Sequence, residues 1–423
     1  MKKITSKIIL ILLLTSTLTL AFNNQQTKAN PNTIYVDDDN TTGPWDGTLE
    51  HPYQNITAAL EHALDNDTIR VNDGTYYENL IVNKTVTLIG DNPENTIIDG
   101  SNITMTVVLI SKVTGVKIQG FTIRNSGDEA IVGGIHIFKA QNVKIYDDTI
   151  TKSYPGVLLT NSTHCEIFRN KICSNVFSGI YLRQNSNYNQ IVGNTLINHT
   201  RGIHFTDTSS ENNNFYHNNL INNTEPVWIA DSVNNNWDDG YPSGGNYWSD
   251  YVGNDVYSGA DQDVVGADGI GDMPYDVDGK NDSYPLLAPI YIFDAGTWNE
   301  TAYNIDVISN STISNFQIDK NQKIISFNVT DKTSLGFCRV TLPNVIVQEM
   351  WKDSFTVQID EQSPLENRSW IEEANTYIYF TYEHPLKEIT IMMEFPSALI
   401  LLLFMVLSLT VVTVTKKRFH RKA

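Results

Sequence analysis

Three groups of side chains in this sequence could do chemistry. The first is a series of aromatic and cationic residues at multiples of about 23 residues: His136, Tyr181, His204 and Trp228, with Arg183 two places after Tyr181. Rings with a polar tip suit the apolar faces and hydroxyls of sugars, so Tyr181, His204, Trp228 and Arg183 are the candidate carbohydrate contacts. The same rings could instead stack on one another and stabilise a sheet. The second group is a thin scatter of acids, Glu166 and Asp207, which with Arg183 are the catalytic candidates. A glycoside hydrolase needs two carboxyl groups within ~5 to 10 Å, and a lyase needs calcium-binding acids beside a base. No spacing forces these residues together, and Glu166 reads equally as a cross-strand ion-pair partner of Lys144. The third group is Asp261, Asp263, Asp268 and Asp272, interspersed with Gly266 and Gly269. Calcium takes about six to eight oxygens, which a chain alternating Asp with Gly can wrap. Val265 stands where a calcium loop places a ligand, so a solvated, turn-rich loop is the alternative.

The elements that must position these groups are legible from a repeat. The phrases Gly134-Ile-His-Ile137, Gly156-Val-Leu-Leu159, Gly179-Ile-Tyr-Leu182, Gly202-Ile-His-Phe205 and Pro226-Val-Trp-Ile229 recur at 22, 23, 23 and 24 residues. A second series aligns Ile118, Ile145, Ile167, Ile191 and Phe215, and a third Ile123, Ile150, Ile172, Leu196 and Leu220. Apolar residues two apart share one face of a strand. A fixed period of this size marks a solenoid, each coil carrying about three short strands and burying its apolar side against its neighbours. No helix-length segment separates the strands, so the crossovers are turns. Asp148, Asn170, Asn194 and Asn218 fall in one column between inward positions. Asn and Asp tolerate the left-handed backbone of a sharp bend, and stacked amides can bond along the ladder.

The run Pro52 to Ala63 reads as an amphipathic helix, followed by Asp67-Thr-Ile-Arg-Val71, Gly74-Thr-Tyr76, Val86-Thr-Leu88 and Thr96-Ile-Ile-Asp-Gly100. This order resembles the opening of right-handed parallel β-helix proteins of the pectin-lyase-like superfamily, and within it the NosD-type repeats of secreted and archaeal surface proteins. The resemblance covers residues 33 to 290. It implies an all-β fold, a right-handed parallel β-helix whose N-terminal helix caps the open first coil. It leaves function open, since this solenoid carries lyases, hydrolases, epimerases and binders. The NosD name also suggests copper, which wants clusters of His, Met or Cys. His136 and His204 lie three coils apart, ~14 Å by strand stacking, and no copper site is evident.

Both ends speak about location. Lys2, Lys3 and Lys7 precede the apolar run Ile8 to Leu20, the pattern of a secretory signal peptide. Ser397 to Thr415 carries no charge over 19 residues and is followed by Lys416, Lys417, Arg418, Arg421 and Lys422. That is a single membrane span with a cytoplasmic basic tail and the bulk of the chain outside. Glu394-Phe395-Pro396-Ser397 with the span and basic cluster also resembles the C-terminal sorting signals of archaeal surface proteins. Met393 stands where that pattern places Pro, and simple retention as an anchor is the preferred reading.

The chain has 48 acidic and 29 basic residues, a net charge of −19, and eight of the basic ones belong to the terminal segments just described. With no basic stripe between them, nucleic acid is excluded as a partner. Thirteen Asn-x-Ser/Thr sequons, among them Asn40, Asn83, Asn161, Asn198, Asn310 and Asn367, can take glycans in an exported chain. Cys165, Cys173 and Cys338 have no framework spacing, so the stacked core must supply stability.

The expected organisation is a signal peptide over 1–29, the parallel β-helix over 30–233, an Asp-, Gly- and Tyr-rich closing segment over 234–290, a small β-sandwich-like domain over 291–393, and one transmembrane helix with its basic tail over 394–423. The leading functional expectation is a membrane-anchored cell-surface protein binding cell-envelope or extracellular polysaccharide. A polysaccharide lyase or glycoside hydrolase, and a non-catalytic adhesion module, are the alternatives.

Overall fold

The computed structural model describes residues 32–230, 234–330, 335–383 and 386–394. The signal peptide and the membrane span expected from sequence lie outside them. Among the described residues no helix is long and apolar enough to cross a membrane.

The repeating phrases form a parallel β-solenoid with three faces. Two sheets of eight strands and one of seven run its length, each strand paired with its equivalents one coil before and after. The apolar columns fall in register. Ile118, Ile145, Ile167, Ile191 and Phe215 pair in sequence along one sheet, and Ile123, Ile150, Ile172, Leu196 and Leu220 along the second. Ile137, Leu159, Leu182, Phe205 and Ile229 pair along the third. The first four of these last five are completely buried and belong to one continuous core with the other two columns.

The corners differ from expectation by one residue. Left-handed backbone occurs at Asp147, Arg169, Gly193 and His217, each immediately before the Asp/Asn column. Asp148, Asn170, Asn194 and Asn218 themselves turn inward, are buried, and bond up the stack. The Asn170 N–H donates to Asn194 Oδ1 and the Asn194 N–H to Asn218 Oδ1, both at 3.0 Å. Asn194 Nδ2 reaches back to the Ile167 carbonyl at 2.7 Å. The bend leaves backbone N–H groups pointing along the axis, and the amide side chain satisfies them where no strand pairing can. A second ladder of Asn189, Asn213 and Asn235 and a third of Asn175, His199 and Asn223 do the same at the other corners.

Both open ends are closed. At the first coil the helix Ile56–His62 lays Ile56, Ala59 and Leu60 on the core. Glu78 accepts the Ile56 and Thr57 N–H groups at its N-terminus, and Lys84 Nζ donates to the Leu60, Glu61 and Ala63 carbonyls at its C-terminus. These charges complement both the unpaired backbone groups and the helix dipole. At the last coil Phe215 stacks on Trp237, and Trp248 stacks on Tyr275. Trp237 and Trp248, both buried, extend the apolar column out of the solenoid.

The remainder is an antiparallel sandwich. Its five-stranded sheet runs Ile290–Trp298, Thr301–Ser309, Leu335–Pro343, Asn375–Glu383, Glu366–Glu372, and its four-stranded sheet Thr312–Asp319, Ile324–Thr330, Leu386–Met393, Phe355–Ile359. Val307, Val340 and Phe380 of one sheet meet Phe327, Val357 and Ile391 of the other in one core, with the helix Asn344–Trp351 against it. The sandwich is not set apart from the solenoid. Asn219 exchanges two 2.8 Å hydrogen bonds with the Ile290 backbone, and Arg169 Nη1 donates to Asn304 Oδ1 at 2.9 Å. Gly193, at φ +67°, leaves the space that Ile292 fills, since a Cβ there would lie 2.5 Å from Ile292 Cδ1. Cys165, Cys173 and Cys338 are all free thiols.

Candidate functional site

The aromatic column expected to be exposed is largely buried. His136, Leu158, Tyr181, His204 and Trp228 do align in register on the third sheet. Tyr181 is 5 % exposed and His204 1 %. The cause is mutual cover. Tyr181 stacks on His204 with centroids 4.2 Å apart, Trp228 and Phe177 meet His204 edge-on, and the Arg201 guanidinium lies 3.8 Å from the Trp228 ring centroid. Phe177 immediately precedes the strand Ser178–Arg183 and Arg201 opens the strand Arg201–Phe205, so the start of each coil folds its own side chains over the face. Arg201 Nη1 and Ser178 Oγ occupy the two nitrogens of His204 at 3.0 and 3.1 Å. Burial, and then Arg201, push that imidazole down to about 3. His136, half-buried beside Thr160 and Phe138, is pushed down to about 4 by desolvation and then by Arg183. Arg183 lies over the Tyr181 ring at 5.9 Å.

Of the catalytic candidates, Arg183 lies near Asp207, but the two acids are not brought together. Glu166 stands on the strand Glu166–Phe168 of the first sheet, while Asp207 follows the strand Arg201–Phe205 of the third. Burial raises the Asp207 carboxyl, but hydrogen bonds from Ser209 and Gln184 outweigh it and hold the group below its ordinary range. Asp207 is thus an ionised loop anchor, unsuited to delivering a proton.

The closing segment disperses its acids. Asp261 and Asp263 are exposed around the hairpin of Tyr257–Ser258 with Val264–Val265. Asp268 is buried, and Asp272 accepts the Val256 and Tyr257 N–H groups at 3.1 Å or slightly more. Among the described residues no group of three or more His, Cys, Asp or Glu could hold a metal ion. The donor set does not fit copper either. His199 is held by Asn223 and Asn175, His217 by Ser243, and His164 stacks on Tyr188.

The structure assembles a cleft that sequence reasoning missed. It has a volume of about 360 Å³ and lies between the first solenoid sheet and the sandwich. Lys117, Lys144 and Glu166 pair in register on three successive coils, as do Gln119, Tyr146 and Phe168, so this wall runs along the solenoid axis. Asp294 and Asn304 form the opposite wall. Lys144 Nζ and Glu166 Oε2 are 2.6 Å apart, and Arg169, paired with Asp147, lies 4.8 Å over the Phe168 ring. The available signal was Tyr146 and Phe168, each one place after the inward column; the second wall, more than a hundred residues later in the chain, had none.

Known proteins of similar course include a pectin methylesterase in complex with a hexasaccharide (13 % identity, TM-score 0.27, 45 % of this chain and 72 % of that one). Another is a GH136 lacto-N-biosidase from Eubacterium ramulus (10 % identity, TM-score 0.29, 51 % and 57 %). A third is ORF18 of Geobacillus virus E2 (13 % identity, TM-score 0.32, 72 % and 73 %). No curated protein sequence matches the chain. The family model described as periplasmic copper-binding protein (NosD) matches residues 60–253, the stretch that forms most of the parallel β-solenoid and the start of its closing segment.

Proposed function

We propose that this chain is an exported, membrane-anchored cell-surface β-helix protein that binds cell-envelope or extracellular polysaccharide in the cleft between solenoid and sandwich. The observation that carries the reading is the wall of Tyr146 and Phe168 flanked by Lys117, Lys144, Glu166, Asp294 and Asn304. Aromatic rings supply faces for sugar C–H groups, and the surrounding side chains supply hydrogen-bond donors and acceptors for hydroxyls. Successive coils stack at ~4.8 Å, so the wall repeats along a line and suits an extended polymer better than a compact ligand. Binding is favoured over hydrolysis because the two carboxylates that line the cleft are both engaged, Glu166 by Lys144 at 2.6 Å and Asp294 by the Gly296 N–H at 2.7 Å. The acidic exterior, the apolar N-terminal run and the charged-flanked C-terminal span support the surface location. A glycan array probed with the full chain and with Tyr146→Ala and Phe168→Ala tests this. Retained glycans that both variants lose support the cleft; an array with no retained glycan argues for an adhesion or structural module instead.

A further inference from the structure

Four lysines that are scattered in the sequence meet on two neighbouring coils. Lys112 and Lys139 stand at the corner after the strands Val108–Ser111 and Ile135–Phe138, both on left-handed backbone. Lys117 and Lys144 open the strands Lys117–Gln119 and Lys144–Tyr146 of the first sheet and line the cleft described above. The Lys112 N–H donates to the Phe138 carbonyl at 2.9 Å, and Lys117 pairs in register with Lys144. The four therefore form a two-by-two array, five residues apart around the corner and one coil, ~4.8 Å, apart along the axis. Lys112, Lys117 and Lys139 are exposed, and none of them enters an ion pair among the described residues; Lys144 alone has a carboxylate, that of Glu166. Lys139 Nζ leans over the Phe138 ring at 5.2 Å.

Like charges set opposite one another on a sheet repel, so the array costs stability unless a partner answers it. The chain places no carboxylate among the four. Between Lys112 and Tyr146 its only acids are Asp128 and Glu129, in the turn from the second sheet to the third, at a different corner. At the edges of the array Asp65 accepts the Thr85 N–H, Asp294 accepts the Gly296 N–H, and Glu166 is held by Lys144. A chain with 48 acidic and 29 basic residues thus keeps a basic surface that runs from the cleft round the corner of the solenoid. No run in the sequence announces it, because the coil brings its two halves together. We propose that this surface binds the anionic groups of an extracellular polymer: the polysaccharide is an acidic one, bearing carboxylates or sulfates, and it continues from the cleft past Lys112 and Lys139. This rests on the polysaccharide reading above and names the class of polymer. Ammonium groups on flexible stems follow charges of varied spacing, and a positive patch on an acidic exterior draws a polyanion to that one place.

The test is calorimetric titration of the full chain with alginate and chondroitin sulfate as acidic probes and dextran as the neutral one, at about 50 and about 200 mM salt. At least one acidic polymer is expected to bind, with affinity falling tenfold or more between the two salt concentrations, and dextran is expected to bind far more weakly. The double variant Lys112→Gln, Lys139→Gln is expected to bind that polymer at least tenfold more weakly at the lower salt and to show a smaller dependence on salt. Both side chains are exposed, so the variant is expected to fold as the wild type does. The proposal is overturned if neither acidic polymer binds, if dextran binds as tightly, if the double variant keeps wild-type affinity, or if a single-stranded oligonucleotide binds more tightly than both acidic polymers. Dextran bound by the wild type and lost in Phe168→Ala overturns the acidic class and leaves the cleft standing. An acidic polymer lost in the double variant and kept in Phe168→Ala upholds the basic surface and overturns the cleft, so the two failures are distinct.

Discussion

Asp282 Oδ2 accepts the backbone N–H of Asn246 at 2.7 Å, and through this bond the amide ladder of the solenoid ends on a buried carboxylate. Asn246 is the rung above Asn218, whose N–H it accepts at 3.1 Å. The same Asp282 oxygen takes the Trp248 indole N–H at 2.8 Å. One side chain thus fastens both the last rung of the ladder and the aromatic plug over the core.

That position makes stability depend on pH in a defined direction. Burial, opposed by the hydrogen bonds from Asn246 and Trp248, pushes the Asp282 carboxyl from 3.8 up to about 7. The folded state therefore holds this proton more tightly than the unfolded chain. The resulting stability is fully present below about pH 4 and is lost as pH rises through about 7. Asp282→Asn removes the titration. Its unfolding free energy relative to wild type is expected to become more favourable as pH is raised from about 5 to about 8. Chemical denaturation of both proteins across that range measures it, and a difference that does not vary with pH contradicts the assignment.

Asn194 occupies the middle of the same ladder, fully buried, accepting from Asn170 and donating to Ile167 and Val192. Asn194→Ala leaves several of these groups unpaired in the interior, and a loss of about 3 kcal/mol is expected. Because each coil rests on its neighbours, the unfolding midpoint of the whole solenoid should fall. An unchanged midpoint would show that these corner amides hold nothing.

Lys84 binds three carbonyls at the end of the capping helix. Lys84→Met keeps the length and apolar stem of the side chain and removes the charge. A loss of about 1 to 2 kcal/mol is expected, with faster amide hydrogen exchange over the helix Ile56–His62 before any other segment. Exchange that accelerates evenly along the chain would place the cap's stability elsewhere.

The row of Ile137, Leu159, Leu182 and Phe205 was readable because inward positions repeat with the coil and must be apolar in every one. The Asp/Asn column was readable for the same reason, although the left-handed residue proved to be its predecessor. Asn and Asp favour such bends, but here the corner uses their amides for pairing and leaves the strained backbone to Asp147, Arg169, Gly193 and His217. The cover over Tyr181 and His204 was not readable. It depends on Phe177 and Arg201 folding over the face from the start of their strands, and outward positions carry no periodic signature of what lies above them. Least legible was the cleft, where Arg169 meets Asn304 across 135 residues of sequence. Docking of one domain on another obeys no repeat.

The most direct test of polysaccharide binding between solenoid and sandwich is calorimetric titration of the full chain with the glycan best retained on an array, repeated with Phe168→Ala and Trp228→Ala. Loss of an aromatic contact of about 1.5 kcal/mol weakens binding about tenfold. The account predicts that loss for Phe168→Ala and wild-type affinity for Trp228→Ala, whose ring is already covered by Arg201. Wild-type affinity in Phe168→Ala, with binding lost in Trp228→Ala, would contradict it and return the ligand to the third sheet.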